Sequence, residues 1–386
     1  MPLLSSLVDI KGGGTPSKNR PEYWNGEIPW VSVKDFKSSV LSGASDCITQ
    51  EGIDNSATSL IPRGSLIVPT RMALGKIAVN TVDLAINQDL KALIIKDIKK
   101  VDRDYLLRCI ESKSEEIIKQ GKGATVKGIT LDVLNNLEIP LPPLETQKQI
   151  AAVLEKADQL RKDCQQMEQE LNSLAQSVFI DMFGDLRLNT KYTKKVAFEN
   201  VFEINSKLVD PRLKQFENMP HIGPEHLEKI TGRILPHKTA KEDGLVSGKF
   251  DFKKGCVLFS KIRPNLKKVA LPDFDGLCSA DMYPLEPING ISTKEFIWGL
   301  ILSLTFDEYL QLLPSRANIP KINRKELSAF EFYLPELEDQ VEYSKRLKEI
   351  QSQIGVNRKV MSDSEANFHS LMQKAFKGEL NLKAAV

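Results

Sequence analysis

An α+β chain is predicted: two mixed α/β domains in tandem, each followed by a long helix, with the two helices pairing as an antiparallel coiled coil. Three observations carry this reading. The chain repeats itself at an offset close to 193 residues. A proline-marked extended segment runs twice into a long polar helix. Each of those helices carries a stripe of apolar side chains at heptad spacing.

The repeat is seen by setting GATVKGITLDVLNNLEIPLPPLETQ (123–147) over RANIPKINRKELSAFEFYLPELEDQ (316–340). Ala124 meets Ala317, Ile129 meets Ile322, Leu134 meets Leu327, Pro142 meets Pro335, Leu144 meets Leu337 and Gln147 meets Gln340, all at 193. Upstream, at 192, Lys76 meets Lys268, Ala78 meets Ala270, Asp89 meets Asp281 and Leu93 meets Leu285. Downstream, SLAQSVF (173–179) meets SLMQKAF (370–376) at 197, which places about one extra turn in the second helix. The boundaries that follow are a first domain over 1–143, a helix over 144–185, a second domain over 186–336, and a helix with its tail over 337–386.

In the domains, strand-like runs fall at 64–70, 76–80, 91–97, 255–260 and 267–272, and helical runs at 102–120 and 293–313. They alternate with Gly- and Pro-marked loops. Pro140, Pro142 and Pro143 hold the outlet of the first domain extended, and Pro335 does so in the second. The first helix then shows apolar residues three and four apart at Ile150, Val153, Ala157, Leu160, Cys164, Met167, Leu171, Leu174 and Val178, with Gly184 as its stop. The second shows Tyr343, Leu347, Ile350, Ile354, Asn357, Met361, Ser364, Phe368, Leu371 and Ala375, with Gly378 as its stop. A single-striped helix is not stable alone in water, so each is expected to pair with the other. Asn357 and Ser364 interrupt the stripe, either as weak points or as devices that set register.

Composition excludes several function classes. With 41% hydrophobic and 27% charged residues, the 386-residue chain is ordinary globular material. No apolar run approaches the roughly 20 residues of a membrane span, and no signal peptide is read at the start. The five scattered cysteines form no CxxC pair and suit a reducing cytoplasm, without a metal site or disulfide framework. The four histidines have no metal spacing, and neither GxSxG, HExxH nor a phosphate-binding GxxxxGK[ST] is present. No residue is singled out as catalytic.

Charge points to a different kind of site. Residues 1–136 hold 18 basic against 16 acidic residues, and 187–330 hold 23 against 17. The remaining segments, which contain the helices, hold 12 against 18. Basic domains joined by acidic helices suit a polyanion plus a protein partner. The densest stretch, 237–268, carries nine Lys or Arg against three acids. Its candidates for nucleic-acid contact are Ser260, Lys261, Arg263, Asn265, Lys267 and Lys268. The first domain offers Thr70 and Arg71, then Asn87 and Gln88, then Lys122, Thr125 and Lys127.

The segment GGGTPSKNRPEYWNGEIPWVSVKDF (12–36) resembles the opening of a target-recognition domain in the specificity subunits of type I restriction enzymes. IPLPPLETQKQIAAVLEKADQL (139–160) resembles the start of their central helix, and the two-domain, two-helix plan covers essentially the whole chain. The second domain departs from the pattern, because no YW.G.IPW block stands in 198–227. The resemblance implies a non-catalytic DNA-recognition subunit whose two domains each read one half of a bipartite, asymmetric double-stranded site. It implies helices that act as spacer and as docking surface for two modification (methyltransferase) subunits, with restriction subunits added to these. It also implies that S-adenosylmethionine is held by the modification subunits, and ATP and Mg by the restriction subunits, with no cofactor on this chain. By position it adds Trp30, Ser32, Lys34 and Asp35 to the DNA-facing candidates. The alternative is a DNA methyltransferase or nuclease with its own active site, which the missing cofactor motifs disfavour.

Overall fold

In the computed structural model the described residues are 1–123, 125–188, 191–204, 207–314 and 320–382, so the aligned pair Ala124 and Ala317 lies outside them. The chain forms two compact units, Met1–Asp163 with Met361–Val386, and Cys164–Val360. Each unit therefore holds one α/β domain and one half of each long helix.

The first unit is built on two sheets. One has the order Val8–Gly12, Leu90–Ile95, Leu66–Pro69, Ala78–Asn80, Val40–Leu41, and the other Asp46–Ile48, Trp24–Val31, Leu84–Ile86, Leu60–Ile61. Leu66–Pro69 is wholly buried, as its unbroken apolar run requires of a strand covered on both faces. Its side chains alternate accordingly. Ile67 joins Val31, Ile61, Leu84 and Ile86 between the sheets. Leu66 and Val68 join Tyr105, Leu106, Ile150, Leu154, Phe368 and Met372 on the helical side.

The second unit repeats this plan. Its main sheet runs Phe202–Ile204, Met282–Pro287, Val257–Ser260, Val269–Ala270, and a further sheet runs Leu208–Val209, Lys249–Phe252, Gly276–Cys278, His221–Ile222. Leu258 faces Ile222 and Phe252, while Val257 and Phe259 face the helical core. In both units one strand pair of the second-named sheet is parallel, Trp30 opposite Ala85 and His221 opposite Leu277.

The long helices are Leu144–Phe183 and Leu337–Lys377. Gly184 and Gly378 end them at φ of 64° and 78°, the left-handed conformation open to glycine. Within the second unit the helices run antiparallel: Asn357 Nδ2 donates to Cys164 O at 2.8 Å, Arg358 pairs with Glu168 at 2.7 Å, and Tyr343 meets Phe179 edge to face. Within the first unit Arg161 binds Glu365 at 2.7 Å and stacks its guanidinium 4.4 Å from the Phe368 ring.

On the second helix the predicted seam is the buried one. Leu347, Ile350, Ile354 and Phe368 are buried, and Met361 and Leu371 half-buried. The first helix needs correction. Ile150 is buried and Val153, Ala157 and Leu171 are half-buried, but Leu160, Met167 and Leu174 are 45%, 48% and 47% exposed. Beside the predicted Cys164, which is buried, the face that packs carries Leu154, Asp158, Arg161, Glu168, Ala175 and Phe179. A count of apolar residues misses this face because its polar members are matched by opposite charges. Arg108, itself buried, joins Asp158 at 2.8 Å, Glu155 at 2.7 Å and Glu111 at 2.8 Å.

One glutamine in each unit fastens domain to helix. Gln147 is fully buried. Its Oε1 accepts the Asp102 N–H at 2.9 Å, and its Nε2 donates to Lys100 O at 2.9 Å and Pro142 O at 2.8 Å. Gln340, also fully buried, repeats the pattern with Thr293 N–H at 3.1 Å, Ile291 O at 3.1 Å and Pro335 O at 2.9 Å. The residues it binds cap the helix Arg103–Ser112 in one unit and Lys294–Leu302 in the other.

In the second unit the helix Lys294–Leu302 packs its own Phe296 into an aromatic cluster with Phe179, Phe183 and Tyr343. Gly299 permits that approach, since a Cβ there would stand 2.4 Å from Phe179 and 2.7 Å from the Tyr343 hydroxyl. Gly299→Ala is expected to destabilise the protein by about 1–3 kcal/mol through overpacking. Gly355→Ala, at an exposed position of the second long helix with open space around it, is expected to stabilise by roughly 0.5–1 kcal/mol. Urea denaturation measures both, and an unchanged midpoint for Gly299→Ala contradicts the packing described.

Candidate nucleic-acid interface

The aromatic motif of the first domain is scaffold. Trp30 is 7% exposed, donates from Nε1 to Gly14 O at 2.9 Å and packs edge to face on Trp24 at 5.2 Å. Trp24 Nε1 donates to Ser17 O at 3.1 Å. Together the two indoles hold the loop 12–17 against the smaller sheet. Gly13 lies so close to that sheet that a Cβ would come within 1.9 Å of Ile86 O. These residue types are needed to fold the loop. What the loop presents is the exposed pair Thr15 and Gln88, joined at 2.6 Å.

Ser32, Lys34 and Asp35 form the turn after that strand. Ser32 N–H and Oγ both donate to Asp35 Oδ2, at 2.9 and 3.1 Å, while Asp35 Oδ1 accepts from Ser45 N–H and Oγ. Burial pushes the Asp35 carboxyl up, but the bonds from Ser45 and Ser32 outweigh it and hold the group below its usual range. Lys34 is exposed and pairs with Asp46 at 2.7 Å, which raises its ammonium pKa. The second domain uses a histidine at the same place: the Gly223 N–H donates to His226 Nδ1 at 2.9 Å. That nitrogen must be unprotonated to accept, and burial holds the ring below its usual range.

Five candidates of the first domain share one paired backbone. Thr70 is buried, and its Oγ1 donates to Asp89 O at 3.0 Å, so it is structural. Arg71, exposed, is bridged to Gly128, and Lys122 exchanges both backbone bonds with Gly128 at 2.9 Å. The loop closed in this way displays Lys122, Thr125 and Lys127, all exposed. Arg71, Lys122, Thr125 and Lys127 are therefore brought together, whereas Trp30 and Thr70 are withdrawn into the core.

The second domain sorts its candidates differently. Ser260 is buried and bonds Ile262 O at 3.0 Å. Lys267 Nζ is bound by Asp307 at 2.6 Å and Leu302 O at 2.8 Å. Lys268 Nζ donates to Pro224 O at 2.6 Å, as Lys76 Nζ does to Phe36 O at 3.2 Å. Lys261 Nζ donates to Ala280 O at 2.5 Å and lies 3.7 Å from Asp281. Arg263 and Asn265 are exposed at the loop tip. Two exposed residues were missed by the sequence reading, Met72 and Lys321. Lys321 bridges Ile262 where Gly128 bridges Arg71, and the offset of 193 already aligned the two.

Comparisons with known proteins agree on one family. The family described as the type I restriction modification DNA specificity domain matches residues 3–173 and again 191–362. The EcoDI specificity subunit of Escherichia coli is 27% identical over 394 residues, covering 92% of this chain and 83% of that protein. The EcoR124I/EcoR124II specificity subunit of Escherichia coli is 37% identical over 164 residues, 41% of this chain and 40% of its own. The crystal structure of a type I restriction-modification S subunit from M. genitalium shares the fold at a TM-score of 0.58. It is 16% identical, and the match covers 97% of this chain and 95% of that one.

The geometry separates two groups of lysines. Lys267→Met and Lys268→Met are expected to lower thermal stability, because each strips a partner from buried or half-buried polar groups. The triple change of Arg71, Lys122 and Lys127 to alanine is expected to leave stability within about 0.5 kcal/mol and to flatten the salt dependence of duplex binding by about three counterions. Fluorescence anisotropy on duplex DNA across a salt series, beside thermal melts, measures both. An unchanged salt slope in the triple variant contradicts the placement.

Proposed function

Because the chain belongs to the type I restriction-modification DNA specificity family, we propose that it is the specificity subunit of such a system, each domain recognising one half of a bipartite double-stranded DNA target. The observation that carries this is the duplication itself. Two domains built on the same backbone plan display different exposed residues at matching loop positions, which suits one subunit that recognises two different half-sites. The exposed cations Arg71, Lys122 and Lys127 supply phosphate contacts that position the first domain, and the exposed Lys321 serves the second.

The proposed chain is not itself catalytic. Burial pushes the thiols of Cys109 and Cys256 each up to about 12, far from a nucleophilic thiolate at neutral pH, so these two residues offer no nucleophile. Chemistry then belongs to partners, two modification subunits that use S-adenosylmethionine and restriction subunits that use ATP and Mg. Docking of the modification subunits on the long helices is supported by the exposed apolar side chains Leu160, Met167 and Leu174 on the first and Val356 and Val360 on the second. Among the described residues no helix is long and apolar enough to cross a membrane, which suits work on DNA in the cytoplasm.

The test is co-expression with the matching modification subunits in a host without other DNA methylation, followed by sequencing of methylated positions. The expected result is one motif of two specified halves separated by an unspecified spacer, lost when this chain is omitted. Methylation that persists without this chain, or a single contiguous motif, overturns the reading. Incubation of the purified chain alone with DNA and labelled S-adenosylmethionine is expected to transfer no label.

A further inference from the structure

The loop after the central strand of each main sheet is the same object in both domains. Thr70 N–H donates to Asp89 O at 2.7 Å, and Lys261 N–H to Asp281 O at 3.0 Å. Ile129 N–H donates to Thr70 O at 2.9 Å, and Ile322 N–H to Lys261 O at 3.0 Å. Arg71 bridges Gly128, and Ile262 bridges Lys321. Met72 N–H then donates to Lys127 O at 3.4 Å, and Arg263 N–H to Pro320 O at 2.7 Å. These four matched pairs put Met72 and Arg263 at one structural position. Both hold positive φ, 64° and 49°, a conformation that side chains with a Cβ rarely adopt. The position that closes the loop is likewise left-handed in both, Gly75 at 81° and Lys267 at 50°.

Met72 and Arg263 are both exposed, Met72 at 71%. Neither side chain has a hydrogen-bond or charged partner among the described residues, so no polar side-chain contact accounts for the backbone strain. Strain of this kind, retained in two copies at a loop tip, points to function. Ile230 also has positive φ, at 71°, but no counterpart in the first domain shares it.

The difference between the two side chains says which function. A phosphate is the same at every DNA sequence, so a phosphate contact asks for a cation in both copies. A base contact asks for different chemistry when two half-sites differ. Lys76 and Lys268, identical in the two copies, spend their ammonium groups on internal carbonyls. The loop tip instead changes from thioether to guanidinium on an unchanged backbone. We propose that Met72 and Arg263 are the equivalent base-reading residues of the two domains. Met72 makes an apolar major-groove contact of the kind a thymine methyl offers, and Arg263 makes a bidentate contact to guanine. The inference rests on the reading of the chain as a DNA specificity subunit.

The test uses the full chain assembled with its modification subunits, beginning with the motif of the unaltered complex. If that complex yields no bipartite motif, the functional reading itself fails, independently of these two residues. Given a motif, Met72→Gly and Arg263→Gly are the informative variants, because glycine accepts positive φ and relieves the strain. Each is expected to melt at or above the parent temperature. Each is also expected to lose about tenfold in discrimination at one base pair of one half-site, a T·A pair for Met72→Gly and a G·C pair for Arg263→Gly. The other half-site stays as in the parent. Lower melting temperature assigns the position to folding and overturns the proposal. So does an unchanged motif with unchanged relative methylation rates at mismatched sites, or a loss of affinity spread equally over all sequences, which is the mark of a phosphate contact.

Discussion

The architecture turns on how a small α/β domain is fixed to the side of a long helix. The carboxamides of Gln147 and Gln340 solve this twice. Each sits at zero exposure one turn into its helix and satisfies three backbone groups from two other segments. A buried polar group without a partner costs about 1–3 kcal/mol, so the three bonds stand or fall together. They join the proline-marked outlet, the loop before a capped domain helix, and the first turn of the long helix. Tyr105 Oη adds a bond to Pro140 O at 2.7 Å on the same side. Prolines fix the backbone of the outlet, and the glutamine fixes what that outlet is attached to.

From this follows a division of labour among residues that look alike in the sequence. The tryptophans, the glycines of the first loop, Thr70, Ser260, Lys267 and Lys268 hold loops in place. The side chains left to face outward are few, and they differ between the domains. Burial separates the two sets where residue type does not. An ammonium 2.6 Å from Asp307 is committed to the fold, whereas an arginine at a left-handed loop tip is not.

Much of the fold was legible because repetition and period leave direct marks. The offset near 193 predicted two like domains, and the runs at 64–70, 91–97 and 255–260 became the strands Leu66–Pro69, Leu90–Ile95 and Val257–Ser260. The helix stops at Gly184 and Gly378 were legible for the same reason. The seam of the first helix was not. Heptad counting selects apolar residues, and the packed face carries Arg161 and Glu168, whose partners lie about 200 residues away in the chain, and Asp158, whose partner Arg108 lies in the preceding domain. Basic residues marked the second domain's loop, but charge alone could not tell Lys268, bound to Pro224 O, from Arg263, which is exposed. Met72 was invisible because an exposed methionine carries no signal until its φ is known.

The attachment is tested most directly by hydrogen exchange on Gln147→Met and Gln340→Met. Each replacement keeps the bulk and removes the amide. In Gln147→Met, exchange is expected to accelerate at Asp102 and along the first turn of Arg103–Ser112, while peptides covering 291–297 and 335–344 keep the protection of the parent. Gln340→Met is expected to give the mirror result, with faster exchange at Thr293 and Phe296 and no change at 100–106. Protection unchanged in both variants, or lost in both domains from either single replacement, contradicts the account that each domain is held to its helix by its own glutamine.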